Sequence, residues 1–562
     1  MGSQSEMTIF TARRIITMNP ARPFAEAVAV ADGKIVAVGP LEELRAWGDH
    51  TVDRTFADHV LLPGFVEAHS HVMVGGMWTL PYVGYFDRVA PDGTRWPGCK
   101  SIDEVLDRLR SAAAGMGDPQ DTLVAWGLDP IYFDADDRLL AEHLDRVSDT
   151  RPIFVYHVSG HLATVNTALL EAEGIDRHTP TPGVSRRADG EPDGELQEPA
   201  AMSLATVAFG KVRAAFAIDE VPWNYAYEAR NAGHTTITDL GTTQLQDPEQ
   251  LDRWRRATSD PEYPARVMLA AGPGIGGGGG DHDEYARLAV DLRDDDTTGD
   301  KLHFGIVKIV LDGSIQGFTA RISWPHYYSA PEEHPGNGLW LMDPSTVAKV
   351  VGAYHKAGLT VHCHCNGDEA SEVFISAVEQ ALEEHPRWDH RHTVQHCQLT
   401  TKAQYRRMAR LGMAANIFSN HIFFWGDQHR DITVGPERAA GMNACATALR
   451  EGVSFSFHSD TPVTPMGHLH VAWCAVNRRT ASGQVLGSEE AIPVEAALHA
   501  ATLGGAYQIK MDHLVGSIEA GKFADFAVLD DDPLTVDPMS LKDIGVWGTV
   551  LGGVPQPASA ST

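Results

Sequence analysis

Apolar residues follow two different rhythms along this chain. From Met7 to residue 62 they alternate with polar ones in short stretches, "MTIFTARRIITM", "AEAVAVADGKIVAVG" and "TVDRTFADHVLLPG". Side chains at i and i+2 share a face of a strand, so this alternation predicts half-buried β-strands. Asp32-Gly33 between two alternating runs predicts a tight hairpin. The stretch "GSIEAGKFADFAVLDDD", 516–532, has the same rhythm. Strands at both ends around a helix-bearing middle predict one β-domain assembled from 7–62 and 505–562.

In the middle, compact apolar runs alternate with helical stretches. Eight strand candidates stand out: Phe65–His69, Thr235–Asp239, Arg266–Ala270, Gly305–Val310, Leu359–His364, Thr393–His396, Met413–Ile417 and Val453–His458. Pro344–Lys356, Asp368–Glu384 and Lys402–Leu411 read as helices between them. Repeated β-then-α units predict an α/β fold, a (β/α)₈ barrel over 63–504. The gap from 72 to 234 is too long for one connection and predicts an insertion, about 75–230, with its own strands ("DTLVAWGLD", "RPIFVYHVSGH"). Insertions after barrel strands lie over the active-site face, which makes this one a lid candidate. The glycine run "GPGIGGGGGDHDEY", 272–285, lacks both the P-loop Lys-Ser/Thr and dinucleotide spacing, and reads as a connecting loop.

Composition narrows the function. The chain has 562 residues and a net charge of −30, which argues against non-specific nucleic-acid binding and anionic membrane surfaces. Six cysteines at this length make no disulfide framework. No run of about 18 apolar residues suggests a membrane span, and the start lacks a secretory pattern, so the cytoplasm is the expected compartment.

The chemistry concentrates at strand ends. "GFVEAHSHVMVGG", 64–76, carries His69 and His71 one residue apart. On one strand face two imidazoles can grip one ion, although HxH alone is a weak signal. The barrel reading strengthens it, because catalytic groups stand at the C-terminal ends of barrel strands. The fourth strand carries Lys308 inside an apolar run, the fifth ends in His364, the sixth in His396, and the last leads to Asp460. A charged lysine in such a run is costly, so its pKa should fall and leave a neutral amine able to take up carbon dioxide. The resulting carbamate could bridge two cations; pairing with a carboxylate such as Asp312 is the alternative.

This pattern resembles the amidohydrolase superfamily, and more closely its amidohydrolase-3 group, the YtcJ-like proteins that include N-substituted formamide deformylases. "LPGFVEAHSH", "SGHLATVNTALL", "VKIVLDGSIQGFTA", "HCNGD", "VQHCQL", "HSDTPV" and "GSIEAGKFADFAVLD" carry the resemblance, in order, over residues 35–530. It implies a metal-bearing TIM barrel with a composite β-sandwich, and a metal set of His69, His71, Lys308, His364, His396 and Asp460. His362 shares a strand face with His364 but lies one layer deeper. Glu198 in "DGELQEPA" is either a ligand in place of the carbamate or surface charge. The expected cofactor is a divalent metal, zinc, with two ions per chain or one. A small-molecule substrate and a homodimer are expected.

Further candidates for substrate binding are His161, Asn166, Arg321, His421 and Trp78. Asn166 is equally a helix cap, Arg321 equally a partner for Asp312, and Trp78 equally a packing residue beside Tyr82 and Tyr85. The expected reaction is hydrolysis of an amide or formamide-type C–N bond, with Asp460 taking the proton of a metal-activated water. A deaminase and a C–C hydrolase or decarboxylase on the same scaffold are the rivals, and a scaffold without metals is the non-catalytic one.

Overall fold

The computed structural model describes residues 7–133, 138–272, 280–295, 299–330 and 336–560. Most of the glycine run, residues 273–279, lies outside them. The chain is an α/β protein with two compact units. One consists of Met1–His71 and Ala226–Ala558, the other chiefly of Val72–Tyr225.

In the first unit the predicted apolar runs are parallel strands: Phe65–Ser70, His234–Asp239, Arg266–Leu269, Ile306–Val310, Thr360–Cys365, Thr393–His396, Ala414–Ile417 and Ser454–Phe457. Nearly every residue in them is buried, which explains why they read as continuous apolar runs rather than alternating ones. Residues 302–457 supply a five-stranded parallel sheet and the short Leu302–His303 edge of a four-stranded one. The two sheets are linked by a parallel bridge between Ala271 and Val307. At the other side, the His71 amide donates to the Thr461 carbonyl at 2.9 Å, and the Asp460 amide donates to the His69 carbonyl at 3.2 Å. The last strand therefore delivers its exit segment to the end of the first.

The first strand is bulged. Ile237 pairs with Glu67 and Asp239 with Ser70, two steps on one strand against three on its neighbour. Simple alternation would put Glu67 and His69 on the same face. The extra residue separates them, and each joins a different side-chain cluster.

Strands from both termini form one seven-stranded sheet in the order Val554–Pro557, Val546–Leu551, Phe526–Leu529, His50–Pro63, Met7–Ile16, Phe24–Ala31 and Lys34–Gly39. The halves join where Phe526–Leu529 runs antiparallel to His50–Pro63. Asp32 and Gly33 both have positive φ, 51° and 73°, as the predicted hairpin turn requires. A Cβ on Gly33 would lie 3.5 Å from the carbonyl oxygen of Gly552, in the hairpin at the far end of the sheet. The sheet thus bends until its two hairpins meet, burying Phe10, Val30, Phe56, Phe526 and Val550 in one cluster.

A buried ion pair ties this sheet to the parallel strands. Arg266 donates through Nε and Nη2 to the Asp525 carboxylate at 2.6 and 3.1 Å, and both side chains are almost fully buried. Breaking one half of such a pair strands the other charge. Asp525→Ala is therefore expected to cost about 3–5 kcal/mol in a denaturant titration; a loss below about 1 kcal/mol, the range of exposed pairs, would show that the pair does not hold the sheet in place.

The second unit contains a five-stranded sheet ordered Val184–Arg186, Pro192–Gln197, Leu162–Val165, Ile153–His157 and Leu123–Leu128. Its core includes Trp126, Phe154 and Leu196.

Candidate metal centre

The C-terminal ends of the parallel strands bring distant residues together. His69 Nε2 lies 3.1 Å from Lys308 Nζ and 3.3 Å from Asp460 Oδ1. His71 Nε2 lies 3.1 Å from the same Asp460 oxygen. His396 Nε2 is 2.9 Å from His364 Nδ1, and His396 Nδ1 is 3.1 Å from His458 Nε2. His396 Nδ1 also lies 3.8 Å from Asp460 Oδ2. The six residues expected from the sequence thus form one connected cluster, with Lys308 level with His362 on the neighbouring strand.

A metal would suit this donor set. Ligand atoms of His69, His71 and Asp460 lie within 4.8 Å of one another, as do those of His69, His396 and His458. Asp460 Oδ1 is buried without a well-formed hydrogen bond, although it faces two imidazole Nε2 atoms. A buried carboxylate oxygen left this way is costly unless a cation completes it.

The surrounding residues aim the ligands. His69 Nδ1 donates to Gln395 Oε1 at 2.7 Å, which leaves the Nε2 lone pair facing Lys308 and Asp460. Gln395 Nε2 in turn donates to His362 Nδ1 at 2.8 Å. His362 therefore sits one layer down as a supporting residue, with Nε2 3.2 Å from the Gln508 carbonyl. His458 Nδ1 is held in the same way by Asn416 Oδ1 at 2.9 Å. His396 and Asp460 adopt left-handed backbone conformations, φ 73° and 55°. Such strain in non-glycine residues collects at functional sites.

Burial sets the charge state. It drives His69 well below the ordinary histidine value, with Lys308 adding to the effect, and it does the same to His396, with the neighbouring imidazoles helping. His458 is pushed down to about 3, mainly by burial. Burial also lowers Lys308 to about 8, against the pull of Asp460. For Asp460 burial acts upward, but the His71 ring 3.1 Å away, with His458 and Lys308, wins and holds the carboxyl below its usual value. His69, His396 and His458 are therefore neutral imidazoles beside one carboxylate, a set suited to a cation.

A pH dependence follows. In the unfolded chain these histidines titrate near 6.5, whereas folded they stay neutral to far lower pH. Below about 6.5 the unfolded chain binds more protons, so stability falls as the pH drops, by up to about 1.4 kcal/mol per pH unit for each such group. The melting temperature of chelator-treated protein should therefore fall steeply between pH 7 and pH 5. A flat profile would mean that these imidazoles are not held neutral.

The softer sequence candidates separate. His421 is buried, stacked on Trp425 with centroids 4.3 Å apart and bonded through Nδ1 to His429 Nε2 at 3.1 Å. Phe418 lies against both His421 and His458. Arg321 does not pair its guanidinium with Asp312. It binds Glu369 at 2.6 Å and Asn337 at 2.9 Å, while Asp312 accepts the backbone amides of Arg321, Asn366 and Gly367. The other three lie in the second unit. His161 Nδ1 meets Glu198 Oε2 at 3.0 Å. Asn166 is fully buried and caps a helix. It accepts from Leu169 and Ile153 amides and donates to the Ser148 and Arg151 carbonyls, which corrects its expected place in a pocket wall. Trp78 packs edge-on against Trp126 at 5.2 Å.

Sequence reasoning missed His458. It stands two residues before Asp460, inside the stretch "HSDTPV", and that spacing, the same as between His69 and His71, was the available signal. It also missed His234 and His468, discussed below.

Parallel strands here end in clustered imidazoles, a buried lysine and a carboxylate, a donor set that could hold a metal ion. The chain belongs to the amidohydrolase family, whose model matches residues 57–556. A short match to the imidazolonepropionase-like composite domain of bacteria covers 27–46. A Bacillus subtilis (strain 168) protein named as an amidohydrolase, YtcJ, is 27% identical over 96% of this chain and 97% of its own length. The N-substituted formamide deformylase of Arthrobacter pascens is 25% identical over 96% of each chain. Among solved structures, an uncharacterized metal-dependent hydrolase from Pyrococcus horikoshii OT3 superposes with a TM-score of 0.69 at 19% identity, covering 95% of this chain and 99% of that one. This last likeness is one of fold. Among the described residues no helix is long and apolar enough to cross a membrane.

Proposed function

We propose that this protein hydrolyses an amide or formamide-type C–N bond of a small organic substrate, at a centre formed by His69, His71, Lys308, His364, His396 and Asp460. In this reading the eight parallel strands make a (β/α)₈ barrel, the terminal sheet is a composite β-sandwich, and the inserted unit is a lid. The observation that carries the reading is Asp460: a buried carboxylate below its usual pKa, with one oxygen facing His69 and His71 Nε2 and no well-formed hydrogen bond of its own.

Zinc suits the imidazole-rich set, in two ions per chain, and such ions supply Lewis acidity and lower the pKa of a coordinated water. The chain's own residues do the rest. Asp460 accepts the proton of the attacking water and returns it to the leaving nitrogen. Gln395 and Asn416 fix the ring orientations of His69 and His458. Burial lowers Lys308 to about 8, which raises the share of neutral amine near neutral pH. Its Nζ adds to carbon dioxide and releases one proton, giving a carbamate anion. In this reading His421, on the chain that follows the Ala414–Ile417 strand, donates to a substrate carbonyl.

The deaminase alternative would use a carboxylate soon after the fifth-strand histidine. Glu369 there is taken by Arg321, and Asp368 accepts from the Ser323 amide at 2.9 Å and pairs with Arg438. Both are committed to structure, which favours the amide reading.

The test is a panel of N-substituted formamides, acyl amides and aminated heterocycles given to zinc-loaded protein and to chelator-treated protein. Release of formate or a carboxylic acid together with an amine, lost on chelation and restored by zinc, is the expected result. Ammonia release from aminated heterocycles alone would replace this reading with deamination.

A further inference from the structure

A second group of metal-type donors lies apart from the centre. Glu67, His234 and His468 are fully buried, and each offers a ligand atom within 4.8 Å of the others. His234 Nε2 and His468 Nδ1 are 2.6 Å apart. Glu67 Oε2 lies 3.8 Å from His468 Nδ1. Phe65 walls the group, with its ring 5.6 Å from that of His234 and stacked 6.1 Å from that of His468.

Without an ion this arrangement is poorly satisfied. Burial holds both rings far below the ordinary histidine value, so each is neutral and carries one N–H. One N–H can serve the 2.6 Å contact. The outer nitrogens, His234 Nδ1 and His468 Nε2, then make no well-formed hydrogen bond. Backbone carbonyls of Ala229 and Ala232 lie beside the first ring, and those of Phe457 and Val66 beside the second. If both rings turn their protons toward the carbonyls, two bare lone pairs face each other beside Glu67, whose carboxyl burial pushes up to about 8. A cation between them satisfies both lone pairs, whereas an N–H in the 2.6 Å contact leaves that ring's outer nitrogen bare beside backbone carbonyls. Metal-bound histidines characteristically present their second N–H to a backbone carbonyl in this way.

We propose that Glu67, His234 and His468 form a structural site for a divalent transition ion such as zinc, separate from the catalytic centre. The site is fully buried, uses two imidazoles and a carboxylate, and sits where three segments meet. Glu67 belongs to the bulged first strand, His234 opens the second, and His468 begins the helix His468–Asn477 beyond the last. Glu67 also accepts from the Ser459 amide and hydroxyl, the latter at 2.6 Å, and from the His69 amide at 3.2 Å. An ion here would lock the bulge that separates Glu67 from His69, and with it the presentation of His69 and Asp460. Bonds of about 2.0–2.1 Å in tetrahedral geometry would open the 2.6 Å nitrogen pair to about 3.3 Å.

Zinc-loaded, dialysed protein tests this by elemental analysis. A His234→Asn/His468→Asn variant should hold about one zinc per chain less than the wild type, and a His69→Asn/His71→Asn variant should keep that ion. Equal zinc content in the wild type and His234→Asn/His468→Asn would overturn the proposal. Should that variant not fold, the wild type decides alone. An anomalous difference peak among Glu67, His234 and His468 in crystals of zinc-loaded protein supports the site, and its absence in crystals whose catalytic centre is loaded overturns it.

Discussion

Lys308→Ala is expected to abolish most activity, on the order of 10³-fold in kcat/KM, the scale for deleting a preorganised charge-stabilising group. The reason is local. Lys308 is almost fully buried, its Nζ is 3.1 Å from His69 Nε2, and burial lowers it to about 8. The free amine adds no negative charge; as a carbamate it supplies one anion and two oxygens. The Ala variant should therefore also bind less metal, measured by elemental analysis after dialysis. A short carboxylate added to the buffer should restore part of the activity by occupying the vacated space. Lys308→Arg should fail despite keeping positive charge, because a guanidinium forms no carbamate. An active Arg variant would show that Lys308 serves as a cation and would end the bridging account.

Asp460→Asn carries the next largest effect. The substitution keeps shape and removes the charge and the proton acceptor. A loss of about 10²- to 10⁴-fold in kcat is expected, the usual worth of a positioned acid–base group. The melting temperature should change little, since the carboxylate makes no well-formed hydrogen bond through Oδ1. Steady-state kinetics on the substrate found by the panel, with a thermal melt on the same sample, separates the two effects. If kcat persists, another group moves the proton, and His71, whose Nε2 lies 3.1 Å from Asp460, is the candidate to test next.

The parallel strands were legible because strands buried on both faces read as apolar runs, and the terminal strands because a half-buried sheet alternates. The hairpin at Asp32-Gly33 was legible because few residue pairs accept two positive φ angles. The clustered strand-end set was legible in part for the same reason: a histidine, lysine or aspartate at the end of an apolar run is conspicuous. What periodicity does not carry is convergence. His69 and Lys308 are 239 residues apart, and nothing local says which strand ends meet. His458 read as the tail of a strand, and His234 as the edge of one. The bulge in the first strand was also invisible, since one extra residue leaves no mark on composition, yet it decides that Glu67 leaves the face of His69. Arg321 shows the limit for surface-like residues: its partner, Glu369, lies 48 residues away on a helix, and Asp312 was merely the nearest carboxylate in sequence. Asn166 could be read either as cap or as pocket residue, because the same side chain serves both, and only its four hydrogen bonds to the backbone decide.

The most direct test of the account is a crystal structure of zinc-loaded protein grown with bicarbonate. Two anomalous peaks about 3.5 Å apart, the usual spacing of paired ions, are expected among His69, His71, His364, His396 and Asp460, joined by density extending beyond Lys308 Nζ. A single ion beside a bare lysine amine, or no ion among these residues, would contradict it.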